Sequence, residues 1–277
     1  MADQPIPSHD PGTVAPPADE GWLRILTGTD PSLPRLRRMW GRVPSSPRCK
    51  LCAAPFHGPG RLLTRILLHG ASNVNPLLCS ACFGQLRGHP GGAEIDIGVL
   101  FADIRGSTGI AERTSASDFG RLVQGFYRRA AKAIEDHDGI VDKFLGDGIM
   151  ALFLPVITGE RRAARAIEAG QAVLEAVMDR DLVAGGVRVG VGVHSGRAFV
   201  GAIGSEDRLD FTALGDTVNV AARLGSAAGA DELFVSDAAW RAAGRSDAAP
   251  HRELTVAGRA EPLQVVVLGP STVGAVA

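Results

Sequence analysis

IDIGVLFADIRGST, residues 95–108, is a mostly apolar run that ends at Asp103, where the chain turns. Such a run reads as a strand. Outward from it, Asp118 to Asp136 shows helical periodicity, with Phe119, Leu122, Val123, Phe126, Ala130 and Ile134 on one side. GIVDKFL and GIMALFL read as two strands joined by a tight turn at Gly146, Asp147 and Gly148. A second amphipathic helix is expected from Glu160 to about Asp181. VRVGVGVHSG and RAFVGAIG then read as another strand pair, followed by a short helix from Asp216 to Leu224. LFVS, HRELTV and LQVVVLG supply the last strands. The pattern predicts an α+β sandwich, one sheet with helices covering one face.

Asp103 and Asp147 share a setting, since each follows an apolar strand at a point where the chain turns. A carboxylate at a strand end is held rigidly yet stays open to ligand. Two of them on neighbouring strands could hold a pair of Mg2+ or Mn2+ ions and leave positions for phosphate oxygens. Taken alone, an Asp at a turn more often bonds nearby backbone N–H groups.

FADIRGST, KFLGDG and FTALGDTVNVAARL occur in the order seen in class III adenylyl and guanylyl cyclases, and the chain resembles that family over about two thirds of its length. The resemblance implies a ferredoxin-like α+β catalytic domain (a βααβ core) over residues 94–277. It also implies a head-to-tail homodimer with active sites shared between subunits. Position by position, Asp103 and Asp147 match the metal carboxylates, and Ile104 would lend its backbone carbonyl. Lys143 matches the base-recognition lysine. Thr212 falls where many adenylyl cyclases have Asp and a bacterial subgroup has Thr or Ser. An ammonium only donates, which suits adenine N1, and the threonine oxygen can accept from the exocyclic N6. ATP is therefore the expected substrate.

Asn219 and Arg223 are spaced i and i+4, so a helix projects both from one face. In the family the Asn orients the ribose and the Arg faces the reacting phosphate, where a permanently charged fork meets redistributing negative charge. The implied reaction is in-line attack of the ribose 3'-hydroxyl on the α-phosphate with loss of pyrophosphate, giving cyclic AMP. His194 in VGVHSG reads as a satisfied structural residue rather than a base. One departure is Ala257, which stands where the family commonly places Lys or Arg against the triphosphate. Arg259 is the candidate substitute. Ala257 is also the main support for a rival reading, a nucleotide-binding protein without turnover that recruits partners through its cysteines.

The remaining chain divides in two. Residues 1–20 carry five prolines among polar residues and are expected to be a disordered tail. Residues 21–93 form a basic segment with helical character from Trp22 to Trp40 and a Gly/Pro linker, GHPGGA, at its end. From Pro31 to Ala93 there are nine Lys or Arg and no Asp or Glu, whereas residues 94–277 hold 19 basic and 25 acidic residues. Such segregation suits docking between the two, contact with phosphates or an anionic membrane surface, or simply a solvated face. Few aromatics and no recognisable reading helix argue against nucleic acid.

All four cysteines lie here, as Cys49–Cys52 and Cys79–Cys82. Two CxxC turns can converge four thiolates on a structural zinc. An iron–sulfur cluster and unmetallated dithiols are the alternatives. His57 and His69 are expected to be bystanders. No apolar stretch approaches the ~20 residues that span a bilayer, and the start MADQPIPSHD lacks a secretory pattern, so a cytoplasmic location is expected.

Overall fold

In the computed structural model, β1 (Gly91–Ile104) and β4 (Val189–Ser205) form the spine of one eight-stranded sheet. They pair antiparallel along the whole of β1, from Gly91 opposite Ala202 to Ile104 opposite Val189. The structure describes residues 20–43, 47–58, 64, 70–73, 76–88, 90–205, 208–246, 251–255 and 262–270. The tail expected over residues 1–20 lies outside these apart from Glu20. On the other edge of β1 lies β3 (Gly148–Phe153), which forms a hairpin with β2 (Ile140–Leu145). The resulting order β2-β3-β1-β4 is the ferredoxin-like arrangement. Beyond β4 the sheet continues through β6 (Leu233–Ser236), β8 (Leu263–Leu268) and β7 (His251–Leu254), while β5 (Arg208–Leu214) folds back on the C-terminal half of β4.

Both faces of β1 are buried, which explains its unbroken apolar sequence. Leu100, Ala102 and Ile104 point to a core formed with α5 (Ala116–Asp136) and α7 (Arg162–Val177) through Phe126, Ile134, Ile167 and Leu174. Helix α5 starts where Ser115 caps it, accepting the Asp118 N–H at 3.1 Å. Ile95, Ile97 and Val99 point the other way and join a core with Trp22, Leu26, Cys52 and Leu78. Helices therefore cover both faces, not the one face expected. The second cover comprises α1 (Glu20–Thr27), α2 (Ser32–Gly41) and α3 (Ser80–Gly88) of the basic segment, together with α9 (Asp216–Ala227). The short helices α4 (Ser107–Arg113), α6 (Pro155–Thr158), α8 (Arg180–Ala184) and α10 (Asp237–Ala242) lie in the connections.

Two expectations change for one reason. The stretch from Val189 to Ser205 is a single 17-residue strand rather than a strand pair, and the end of the GHPGGA linker, from Gly91, already belongs to β1. Their glycines mark close approach rather than turns. A Cβ at Gly192 would lie 2.1 Å from the Gly225 nitrogen of α9, and one at Gly201 would lie 2.1 Å from the Gly91 carbonyl oxygen. No side chain fits at either point.

The basic segment docks onto the rest of the chain. The Trp22 ring stacks on Phe211 of β5, with centroids 6.1 Å apart. Arg87 donates to the Leu209 carbonyl at 2.9 Å, Arg37 to the Val156 carbonyl at 3.3 Å, and Lys50 pairs with Asp138 at 2.5 Å. The contact carries the ion pair Lys50–Asp138, while Arg35, Arg38 and Arg42 of the segment stay exposed.

Candidate functional site

The turn between β2 and β3 brings Asp147 beside Asp103 at the end of β1. The Ile104 N–H donates to the Asp147 carbonyl at 3.2 Å, tying strand end and turn together. Gly146 takes a left-handed φ of 66° to make that turn, and the Tyr127 hydroxyl of α5 donates to its carbonyl oxygen. The Tyr127 ring lies 4.3 Å from that of Phe144, bracing the hairpin from behind. Asp103 Oδ1 is buried with no hydrogen-bond partner, while Oδ2 accepts from Arg105 Nη2 at 2.6 Å. Burial pushes the Asp103 pKa up; Arg105 opposes this and the carboxyl of Asp147 adds to it. A buried, unpartnered carboxylate oxygen beside a second carboxylate is a donor set that fits a hard divalent cation.

Lys143 and Thr212 also approach each other. A β-bulge between Val141 and Lys143 interrupts the β2–β3 register at Asp142. Alternation would send adjacent side chains to opposite faces, but the bulge turns Asp142 and Lys143 to the same side. There they meet β5, where Lys143 Nζ lies 3.4 Å from Asp210 Oδ2 and Thr212 Oγ1 donates to Asp142 Oδ2 at 2.6 Å. Thr212 is buried and Lys143 half-buried.

On α9, Asn219 is exposed and Arg223 half-buried, one turn apart. The opposite stripe of the helix, Val220, Ala221 and Leu224, is buried. Gly225 seats the helix against Phe101, two residues before Asp103 on the same face of β1. The Arg105 guanidinium reaches from Asp103 to the carbonyl of Ser226 at 2.7 Å, linking the carboxylate corner to the helix end. Among the described residues, no hydrogen bond or ion pair joins Asn219 or Arg223 to either carboxylate. Ala257 and Arg259 lie outside the described residues. His194 is the structural residue expected, with Nδ1 2.7 Å from the Ser236 hydroxyl that caps α10.

The four cysteines converge. Their Sγ atoms all lie within 4.8 Å of one another, and Cys52 to Cys79 measures 3.7 Å. Ala53, at a left-handed φ of 62°, closes the first CxxC turn, and Cys82 sits in the first turn of α3. The Cys79 N–H points at Cys49 Sγ, 3.3 Å away, and the Cys82 N–H at Cys79 Sγ, 3.4 Å away. Hydrogen bonding among the four thiols pulls Cys49 and Cys79 below the ordinary thiol range and pushes Cys52 and Cys82 above it. This pattern of amides aimed at sulfur suits thiolate ligands. His57 is exposed and is not one of these ligands, and His69 lies outside the described residues.

Three residues of this site escape a reading of the sequence: Asp142, Arg105 and Tyr127. Asp142 carries no signal of its own, because alternation places it away from Lys143 and only the bulge reverses that. Arg105 looks like an ordinary loop arginine, and Tyr127 is one residue off the apolar stripe of its helix.

The profile of the adenylate and guanylate cyclase catalytic domain matches residues 93–269. Adenylate cyclase 1 of Rhizobium meliloti (strain 1021) is 33% identical over 145 residues, 50% of this chain and 22% of that protein. The adenylate cyclase of Anabaena cylindrica is 36% identical over 131 residues, 46% of this chain and 26% of that protein. The chain thus spans about a quarter of the length of these curated relatives. Among solved structures, the guanylyl cyclase Cya2 superposes with a TM-score of 0.61 at 27% identity, covering 68% of this chain and 98% of that one. The adenylyl cyclase CyaB from P. aeruginosa gives 0.58 at 28% identity, covering 64% and 95%. No helix among the described residues is long and apolar enough to cross a membrane. With the profile matching residues 93–269, well over half of the chain, this chain belongs to the class III family of adenylate and guanylate cyclase catalytic domains.

Proposed function

We propose that the chain is an adenylyl cyclase that converts ATP to cyclic AMP and pyrophosphate as a homodimer with shared active sites. The observation that carries the reading is the corner where Asp103, with its unpartnered buried Oδ1, meets Asp147. Asp103, Asp147 and the carbonyl of Ile104 would hold Mg2+ or Mn2+, which when bound lower the pKa of the ribose 3'-hydroxyl and neutralise phosphate charge. The chain's own residues orient the substrate. Lys143 donates to adenine N1, and the Thr212 oxygen accepts from N6. Asn219 positions the ribose, and Arg223 offers its two-pronged cation to the α-phosphate as charge builds there. Arg259 is assigned to the triphosphate.

Family membership implies that Asn219 and Arg223 of one subunit act opposite the carboxylates of the other, so the site is proposed to be shared between subunits. Mixing Asp103→Ala with Arg223→Ala protein tests this. Each variant alone should be nearly inactive, and the mixture should regain part of the wild-type rate. A mixture as inactive as its components, with mixed dimers shown to form, refutes the shared site.

The cysteine cluster is assigned to one structural zinc. Tetrahedral coordination at the usual Zn–S length separates sulfurs by about 3.8 Å, close to the 3.7 Å between Cys52 and Cys79. A polynuclear iron–sulfur cluster would hold its thiolates further apart, with several atoms between them.

A further inference from the structure

Asp142 lies between the two residues assigned to the base, and its side chain is 0% exposed. One carboxylate oxygen accepts the Thr212 hydroxyl at 2.6 Å. The other makes no hydrogen bond and stands 3.8 Å from Lys143 Nζ. Burying a carboxylate without full hydrogen bonding is unfavourable, and a threonine needs no buried carboxylate to be satisfied. The arrangement does have a directional consequence. A hydroxyl has one proton, so a threonine that donates inward presents only lone pairs to whatever approaches from outside.

Base recognition can use that polarity. Adenine presents a donor at N6 and an acceptor at N1; guanine presents the reverse, an acceptor at O6 and a donor at N1. An outward Thr212 acceptor beside a Lys143 donor complements adenine at both positions. A freely rotating hydroxyl would serve either base. Asp142 removes that freedom, and its second oxygen, 3.8 Å from Lys143 Nζ, acts with Asp210 Oδ2 at 3.4 Å to hold the ammonium near the same place. The bulge makes this arrangement possible, because a regular strand would turn Asp142 away from Lys143.

We propose that Asp142 is a specificity-determining positioning residue, which selects ATP over GTP by fixing the Thr212 hydroxyl as an acceptor. The inference rests on the adenylyl cyclase reading and deepens it.

The test is the ratio of kcat/KM for ATP to that for GTP in wild type, Asp142→Ala, Asp142→Asn, Thr212→Val and the Asp142→Ala/Thr212→Val double variant. Asp142→Ala frees the hydroxyl and should lower the ratio five- to tenfold, the worth of one hydrogen bond. Asp142→Asn keeps a carbonyl acceptor for Thr212 and should restore most of the preference. In the Thr212→Val background, Asp142→Ala should have no further effect on the ratio. An Asp142→Ala ratio within twofold of wild type, or an equal fall without Thr212, overturns the inference.

Should Asp142→Ala not fold, wild-type protein carries the test with purine riboside triphosphate, which lacks the 6-amino donor. It should be used about tenfold less well than ATP, and equal use overturns the inference. If wild type forms no cyclic nucleotide from either substrate, the cyclase reading fails separately. Displacement of a fluorescent nucleotide by ATP and GTP then reads the base preference without turnover.

Discussion

Replacing Trp22 with Ala tests whether the basic segment and the catalytic domain share one core. Trp22 is 4% exposed, and its ring lies at 12° to that of Phe211 on β5. It belongs to a continuous apolar cluster that runs from α1 through Cys52 and Leu78 to Ile95, Ile97 and Val200. Truncating a buried Trp to Ala removes about 3–5 kcal/mol, and the stacked ring pair accounts for ~1 kcal/mol of that. For a domain of this size each kcal/mol moves Tm by roughly 2–4 °C, so a fall of about 10 °C is expected. Thermal unfolding followed by far-UV circular dichroism should show one cooperative transition in wild type, displaced as a whole in the variant. A separately folded basic segment would behave differently. The main transition would then stay within about 2 °C of wild type, and only a minor early phase would move. That result would refute the shared core.

Other expectations follow from the site and the spine. Purified protein should carry one zinc per chain by metal analysis and lack visible absorption, and Cys79→Ser should lose the metal and fall in Tm; a coloured, iron-containing protein would contradict the zinc assignment. Burial, opposed by Thr212 and Lys143, lifts Asp142 to about 6 from an ordinary 3.8. A carboxyl raised in the fold stabilises it fully below the unfolded value, and that contribution is lost as pH rises through 6. The Tm of wild type minus that of Asp142→Asn should therefore decline between about pH 4 and about pH 7, by an amount corresponding to ~3 kcal/mol. Gly201→Val forces a side chain to within 2.1 Å of the Gly91 carbonyl. It should destabilise by about 3 kcal/mol or more in urea titration, whereas the same change at Gly84, where a Cβ meets nothing within 4 Å, should cost about 1 kcal/mol or less. Lys143→Glu should depress cyclic AMP formation by roughly a hundredfold, since an acceptor then faces adenine N1.

What the sequence disclosed followed from strong local signals. The apolar run before Asp103, the helical stripe from Phe119 to Ile134 and the glycine turn at Gly146 each have one reading, and the β1 strand, α5 and the β2–β3 hairpin are where those signals place them. The paired CxxC turns likewise announced a cluster. The glycines of β4 misled because a glycine in an alternating pattern looks the same whether it makes a turn or admits a neighbouring backbone. Only tertiary contact distinguishes the two, as at Gly192 against Gly225. The second cover of the sheet was hidden for a similar reason, since nothing local in Trp22 or Leu26 names Phe211 or Val156 as partner. Asp142 was hidden by a single extra residue in a strand, which reverses the face of every side chain beyond it.

The most direct test of the central claim is product formation by the purified chain with Mn2+ and either ATP or GTP, alongside Asp103→Ala. Cyclic AMP from ATP, a clearly slower reaction with GTP, and loss of both in the variant are expected. Absence of cyclic product from either nucleotide with the dimer shown to be present, or an Asp103→Ala rate equal to wild type, would contradict that claim.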